Sequence, residues 1–236
     1  MQAVVLAAGE GTRLRPLTDE KPKVLVDIAG KPLLTRCFEA LLTVDPEEFV
    51  VVAGYEGDRI VEQYGDSFSG VPVTYAWQDE REGMAHALLQ ARPHVDGRFV
   101  CADGDCVFEA DLAPLVERAR ESGVDAVQHV ERVPPEVARE KAICEVDGDE
   151  LRGIEKEPDD PPERSLVAGG VAVYHPAIFA ACEATDYSER GERELAESIQ
   201  RFVDAGNTML ALTLDGWSTN VNTPEEREAA ADRLRE

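Results

Sequence analysis

The chain has 236 residues, with 48 acidic against 24 basic side chains and a formal net charge of −24. That length can bury a sizeable core and suits one α/β domain, at most with a small appended lobe. The acidic balance argues against nucleic acid and anionic membrane as partners, because phosphate polymers would be repelled.

Residues 3–8 form a short continuous apolar run, the pattern of a strand buried on both faces. Gly9 and Gly11 follow at once, in the string AGEGTRLRPLT, and KPKVL comes shortly after. Glycine lets backbone approach a ligand closely, and successive N–H groups in such a turn make a concave anion site. Arg13 and Lys23 add positive charge, and arginine can grip phosphate oxygens with a fork of donors. Two familiar phosphate loops do not fit. The dinucleotide fingerprint needs a third glycine where Leu14 stands, and the P-loop spacing G-x-x-x-x-G-K-[ST] is absent. Pro16 also opposes a long helix directly after the turn. Residues 13–22 are therefore expected to be an ordered loop folded over a nucleotide.

Strand and helix patterns then alternate. Helices are predicted over 32–42, 59–64, 84–91 and 112–121, and strands over 49–53, 71–76, 99–102 and 124–129. This order predicts a Rossmann-like α/β fold, a mostly parallel mixed sheet with helices on both faces. Within it, Asp103-Gly104-Asp105 follows a strand at the carboxyl edge where open α/β sheets bind ligands. Adjacent carboxylates there suit Mg²⁺, which shares its shell between protein oxygens and substrate phosphates; a turn using Asp and Gly for backbone tolerance is the alternative. Gln78 and Gly83 precede small residues at a helix start, where a flat base could lie against backbone. His86 reads as a structural polar residue.

The rhythm changes after Pro134. Strands over 142–146 and 151–155 are joined at Asp147-Gly148-Asp149, a hairpin signal, and residues 158–162 read as a loop. Glu155-Lys156 ends the hairpin, and Gly169-Gly170 is read as beginning the next strand, over 167–174. The lysine could hold a phosphate and the glutamate sugar hydroxyls; a solvated pair is the alternative. A helix is expected from Pro176 to Cys182, another over 194–205, a strand over 209–214, and a last helix through Leu234 capped by Thr223. Residues 217–224, WSTNVNTP, read as polar and irregular, with Asn220 and Asn222 offering neutral oxygen ligands. No repeat or linker divides the chain. It is read as one domain over 1–236, with a nucleotide-binding half (1–130) and a sugar-phosphate-binding half (131–236).

Lysine is scarce: Lys21, Lys23, Lys31, Lys141 and Lys156 stand against nineteen arginines. An acidic, lysine-poor surface predicts a halophilic protein, working in salt that screens self-repulsion. The five cysteines show no zinc spacing and read as reduced core thiols. No apolar run approaches the ~20 residues of a membrane span, and no leader precedes the first strand. A soluble, cytoplasmic protein is expected.

In these motifs and their order the chain resembles the sugar-1-phosphate nucleotidyltransferases, the NDP-sugar pyrophosphorylases. The resemblance runs over nearly the whole length. It implies a nucleotide site at Leu6, Ala7, Ala8, Gly9, Gly11, Thr12 and Arg13, with Lys23 beside the α-phosphate and Arg13 and Lys23 in the catalytic role. It places Gln78 and Gly83 at the base and Asp105 on Mg²⁺. Glu155, Lys156 and Gly170 would meet the sugar and its phosphate. Three departures stand out. Met84 replaces a common Thr, and Glu157 separates Lys156 from Pro158. Asn220-Val221-Asn222-Thr223-Pro224 replaces Asp-x-Gly-Thr-Pro, so either asparagine could be the second metal ligand. The chain is also expected to lack the β-helix extension of bifunctional relatives.

The implied reaction joins a nucleoside triphosphate (UTP or dTTP favoured) to a sugar-1-phosphate resembling glucose-1-phosphate, by in-line attack on the α-phosphorus. Two other readings stay open. One is a glycosyltransferase, since Asp103-Gly104-Asp105 fits a D-x-D motif, though this leaves Arg13 and Lys23 unexplained. The other is a regulatory paralogue that binds sugar nucleotide without turnover, hinted at only by the two asparagines.

Overall fold

A computed structural model describes every residue except Asp159 and Glu236; that much of the predicted 158–162 loop, and the last residue of the 1–236 domain, lie outside the described residues. The first strand, Gln2–Ala7, sits inside the sheet because its side chains have apolar cover on both sides. Ala3, Val5 and Ala7 face one core cluster with the helix Leu33–Leu41, while Val4 faces another with the helices Met84–Gln90 and Ile178–Ala184. A strand buried on both faces needs a continuous apolar run, and residues 3–8 supply it.

Among the described residues, ten strands make one sheet. Gln2–Ala7 pairs in parallel with Phe49–Ala53 on one side and Phe99–Asp103 on the other, and Phe49–Ala53 pairs in parallel with Val71–Trp77. Beyond Phe99–Asp103 lies the antiparallel strand Ser165–Tyr174, then Ala126–Val133, Met209–Leu212, and the hairpin of Glu150–Lys156 and Ala142–Asp147. The sheet is mixed, with the four strands from Val71–Trp77 to Phe99–Asp103 parallel and the edge strand Ser67–Phe68 antiparallel, and helices cover both faces, as the alternating pattern predicts. The large buried side chains Phe99 and Tyr174 sit near its centre, and Phe99 stacks on Phe179 with ring centroids 5.3 Å apart.

Two local readings are corrected. Residues 217–220 are not irregular: Gly216–Asn220 is a strand, paired antiparallel with Cys106–Ala110 just beyond the acidic turn. Its polar composition hid it, because this ribbon lies outside the main sheet and its strand residues are only half buried. Gly169 and Gly170 do not open a strand. They lie inside Ser165–Tyr174, where the pairing with Ala126–Val133 slips between Ala168 and Ala172.

Candidate active site

The site begins where the first strand ends. Gly11 has φ 68°, and a Cβ there would lie 2.7 Å from Cβ of Lys23. Only glycine meets both conditions, so the turn packs on the stem of the lysine that follows it twelve residues later. The loop between them is pinned from below. Thr18 Oγ1 donates to the Gly11 carbonyl at 2.8 Å, and Leu14 is fully buried among Val26, Ile28, Leu33, Val107 and Val221. The residue that breaks the dinucleotide fingerprint is thus the loop's apolar anchor, and it leaves Arg13 exposed above it.

Lys23 is 8% exposed, and its amine points at the acidic turn. It contacts Asp105 directly and donates to Asn222 Oδ1 at 2.7 Å, the same oxygen that accepts from Arg13 Nη2 at 3.2 Å. Asn220 does something different: its Nδ2 donates to Asp103 Oδ2 at 3.0 Å and Asp105 Oδ1 at 3.1 Å. The ribbon makes this possible by setting Asn220 opposite Cys106. The last helix, Pro224–Arg233, fixes the other asparagine through a capping box between Thr223 and Glu226, whose carboxylate also accepts from Asn222 N at 2.6 Å.

Burial and the neighbouring Asp105 charge push Asp103 up to about 7, against the pull of Asn220, Lys23 and Lys141. Two carboxylates held this close carry excess negative charge that a cation would relieve. Among the described residues no cluster of three or more His, Cys, Asp or Glu is gathered to hold a metal. Asp103, Asp105 and a side-chain amide are all oxygen donors, and they leave positions for phosphate oxygens. This donor set fits Mg²⁺.

Two cavities open on this edge. The first, of about 460 Å³, is lined by Leu6, Ala7, Ala8, Gly9, Gly11, Thr12 and Arg13, and by Lys23, Gly83 and Asp105 beyond them. Gln78 lies behind its wall. That side chain is 6% exposed, and Nε2 is within hydrogen-bond distance of the Gly83 carbonyl and His86 Nδ1, each at 3.1 Å. It braces the start of the helix Met84–Gln90, and His86 is engaged by Gln90 on its other side. At the mouth, Glu10 is gripped by Arg81 and Arg15, which hold its carboxyl below the usual range.

The second cavity, of about 440 Å³, is lined by Lys156, Gly170, Gln128, Tyr174 and Ile199 among others. Lys156 and Ile154 point in; Glu155, between them on the strand, is exposed and stays outside the wall. Lys156 Nζ lies 2.7 Å from Glu194 Oε2 and 3.7 Å from Glu157. A Cβ on Gly170 would meet Cys106 Sγ at 2.9 Å and Asn220 Nδ2 at 3.3 Å, so the slipped strand can pass behind the acidic turn only as glycine. Arg13, Met84, Asp103, Asn220 and Asn222 line both cavities, which therefore meet at Asp103.

Sequence reasoning did not single out Arg81, Glu194 or Gln128 in the walls, or Glu10 at the mouth. Arg81, Glu194 and Gln128 arrive from distant segments that nothing local marked, whereas Glu10 stands inside the glycine turn itself. Asp103 was visible within the acidic pair.

Residues 2–220 match the family model described as "Nucleotidyl transferase". The chain is 44% identical to a UTP–glucose-1-phosphate uridylyltransferase of Haloferax volcanii, over all of this chain and 97% of the relative. It is 33% identical to a glucose-1-phosphate thymidylyltransferase of Streptomyces griseus, over 97% of this chain and 64% of the relative. Among solved structures, a UDP-glucose pyrophosphorylase complexed with UDP-glucose superposes with a TM-score of 0.88 at 19% identity, covering 99% of this chain and 98% of that one. Fold, glycine turn, acidic turn and full-length similarity agree: the chain belongs to the nucleotidyl transferase family, as a sugar-1-phosphate nucleotidyltransferase.

Proposed function

We propose that this protein joins a nucleoside triphosphate, UTP first and dTTP next, to glucose-1-phosphate or a close hexose-1-phosphate, giving the NDP-sugar and pyrophosphate. The observation that carries this is the meeting of the two cavities at Asp103, with Arg13 and Lys23 in the wall of one and Lys156 in that of the other. A relative 44% identical over almost its whole length acts on UTP and glucose-1-phosphate by name, and this supports the choice of substrates.

The main obstacle is repulsion between two phosphate groups. At ~4 Å, two unit charges repel by about 4 kcal/mol at an effective dielectric of 20, and these groups carry more than one each. Arg13 and the N–H groups of the glycine turn hold the triphosphate. Lys23, fixed by Asp105 and Asn222, presents its charge beside the α-phosphate without reorganising. Lys156 holds the sugar phosphate, so that one of its oxygens faces the α-phosphorus in line with the departing pyrophosphate. That phosphate is ionised near neutral pH, so no protein base or nucleophile is required. Asp103 and Asp105, with the Asn220 amide turned to offer its oxygen, would hold Mg²⁺, which supplies charge neutralisation at the phosphates.

No helix among the described residues is long and apolar enough to cross a membrane, and all five cysteines are free and buried. With the acidic, lysine-poor composition, these features support a cytoplasmic enzyme working in concentrated salt. One panel tests the whole reading: UTP, dTTP, CTP and GTP against glucose-1-phosphate and mannose-1-phosphate, in molar KCl with and without Mg²⁺, scored by pyrophosphate release. UTP with glucose-1-phosphate should be fastest and should need the cation. Preference for CTP or GTP would overturn the base assignment, and release of nucleoside diphosphate would overturn the reaction.

A further inference from the structure

The wall of the second cavity carries three cations, Arg13, Lys141 and Lys156, among five carboxylates, those of Asp103, Glu136, Glu140, Glu194 and Glu226. Lys156 is neutralised by Glu194 at 2.7 Å, and Arg13 is turned to Asn222 at the rim shared with the nucleotide cavity. The amine of Lys141, among the described residues, has no hydrogen-bond or ion-pair partner. Its base is nonetheless fixed on both sides. Lys141 N donates to the Ala138 carbonyl at 3.1 Å, and its own carbonyl accepts from Glu157 N at 3.0 Å.

In a wall where the other cations are already engaged, an unpaired ammonium on an anchored backbone is the group free to take an anionic guest. Its charge reaches Asp103, where the two cavities meet. Composition points the same way. This chain uses arginine nineteen times and lysine five, yet Lys23, Lys141 and Lys156 all stand in the walls of the two cavities. Lysine is a compact point charge on a flexible stem, suited to following a phosphate that changes position during reaction.

We infer that Lys141 is a second phosphate-binding residue for the sugar-1-phosphate, gripping its non-attacking oxygens together with Lys156. The inference rests on the function proposed above and adds a residue to it. A cation on a dianion is a charge-assisted contact, and its loss should weaken sugar-1-phosphate binding on the order of ten- to a hundredfold.

The test is steady-state kinetics of Lys141→Gln and Lys141→Arg beside the parent enzyme, varying UTP and glucose-1-phosphate separately. Lys141→Gln should raise KM for glucose-1-phosphate by that factor with KM for UTP unchanged, and Lys141→Arg should recover most of the loss. An unchanged KM for glucose-1-phosphate, or equal rises for both substrates, would overturn the inference. A parent enzyme that forms no NDP-sugar would instead sink the proposed function.

A second measurement needs no variant. Amine acetylation of the parent enzyme, read at Lys141 by mass spectrometry, should be slowed by glucose-1-phosphate and not by glucose or glucuronate. Equal protection by glucose would mean simple coverage by the ring, and protection by glucuronate alone would mean a carboxylate partner; either removes the phosphate assignment.

Discussion

The two cavities are built in opposite ways. The first is largely one short piece of chain, in which residues 6–13 and Lys23 turn on themselves over a buried Leu14. The second is assembled from a hairpin, a slipped strand, a helix start and a ribbon, with Lys156, Gly170, Glu194 and Asn220 brought together from across the second half of the chain. A locally encoded cradle is rigid because its own backbone hydrogen bonds and one apolar anchor define it. An assembled cavity depends on every packing contact around it, so single substitutions there should shift affinity more readily than they abolish chemistry.

The largest expected effects test the preassembled side. Lys23→Ala and Asp105→Ala should each lower kcat by two or more orders of magnitude, since removing one preorganised charge-stabilising group typically costs about 10²–10³. Circular dichroism should show both variants folded. Near-normal pyrophosphate release in either would break the assignment of the reacting centre to that edge.

Lys156→Ala should act differently, raising KM for glucose-1-phosphate with a smaller effect on KM for UTP. Equal damage to both substrates would mean that the two cavities are one unit, and the comparison would fail. Lys156 is paired with Glu194, so Glu194→Gln, which frees that ammonium and removes a negative charge from the wall, should produce a milder change in the opposite direction, lowering KM for glucose-1-phosphate.

A third prediction concerns the junction in the absence of metal. Asp103 is held near 7 in the folded chain, above its ordinary value of 3.8. The folded state then binds the proton more tightly than the unfolded one. This favours folding fully below pH 3.8, and the advantage is lost as the pH rises through about 7. In EDTA the melting temperature should therefore fall between pH 5 and pH 8, and Asp103→Asn should flatten that fall. An unchanged pH profile would show that the acidic pair is not under electrostatic stress.

The smallest effect sharpens the role of the last helix. Thr223→Ala removes the cap and should cost about 0.5–2 kcal/mol, read as a lower melting temperature. Because the same box fixes Asn222 N, the loss should also loosen the Arg13–Asn222–Lys23 arrangement and lower kcat modestly.

Most of the architecture is legible in the sequence. The apolar run at 3–8, the alternation through residue 129, the hairpin at Asp147-Gly148-Asp149 and the cap at Thr223 are local signals. Burial on both faces, tight turns and helix caps each demand particular residues within a few positions. The glycine turn with Arg13 and Lys23 belongs to the same class.

Other features were decided by the tertiary structure. The strand Gly216–Asn220 has no apolar alternation to announce it, and only its partner Cys106–Ala110 makes it a strand. That pairing gives the two asparagines separate tasks, Asn220 on the carboxylates and Asn222 on the cations, although in sequence they are two equivalent amides. Gln78, spaced like a base contact, is turned inward because Gly83 and His86 claim its amide. The composition and short-range pattern of this chain determined most of its strands, its turns and the glycine loop, since those forces act between near neighbours. Which polar side chain faces which partner was set by folding, because hydrogen bonds and ion pairs between residues a hundred or more positions apart exist only once packing has brought them within 3 Å or so.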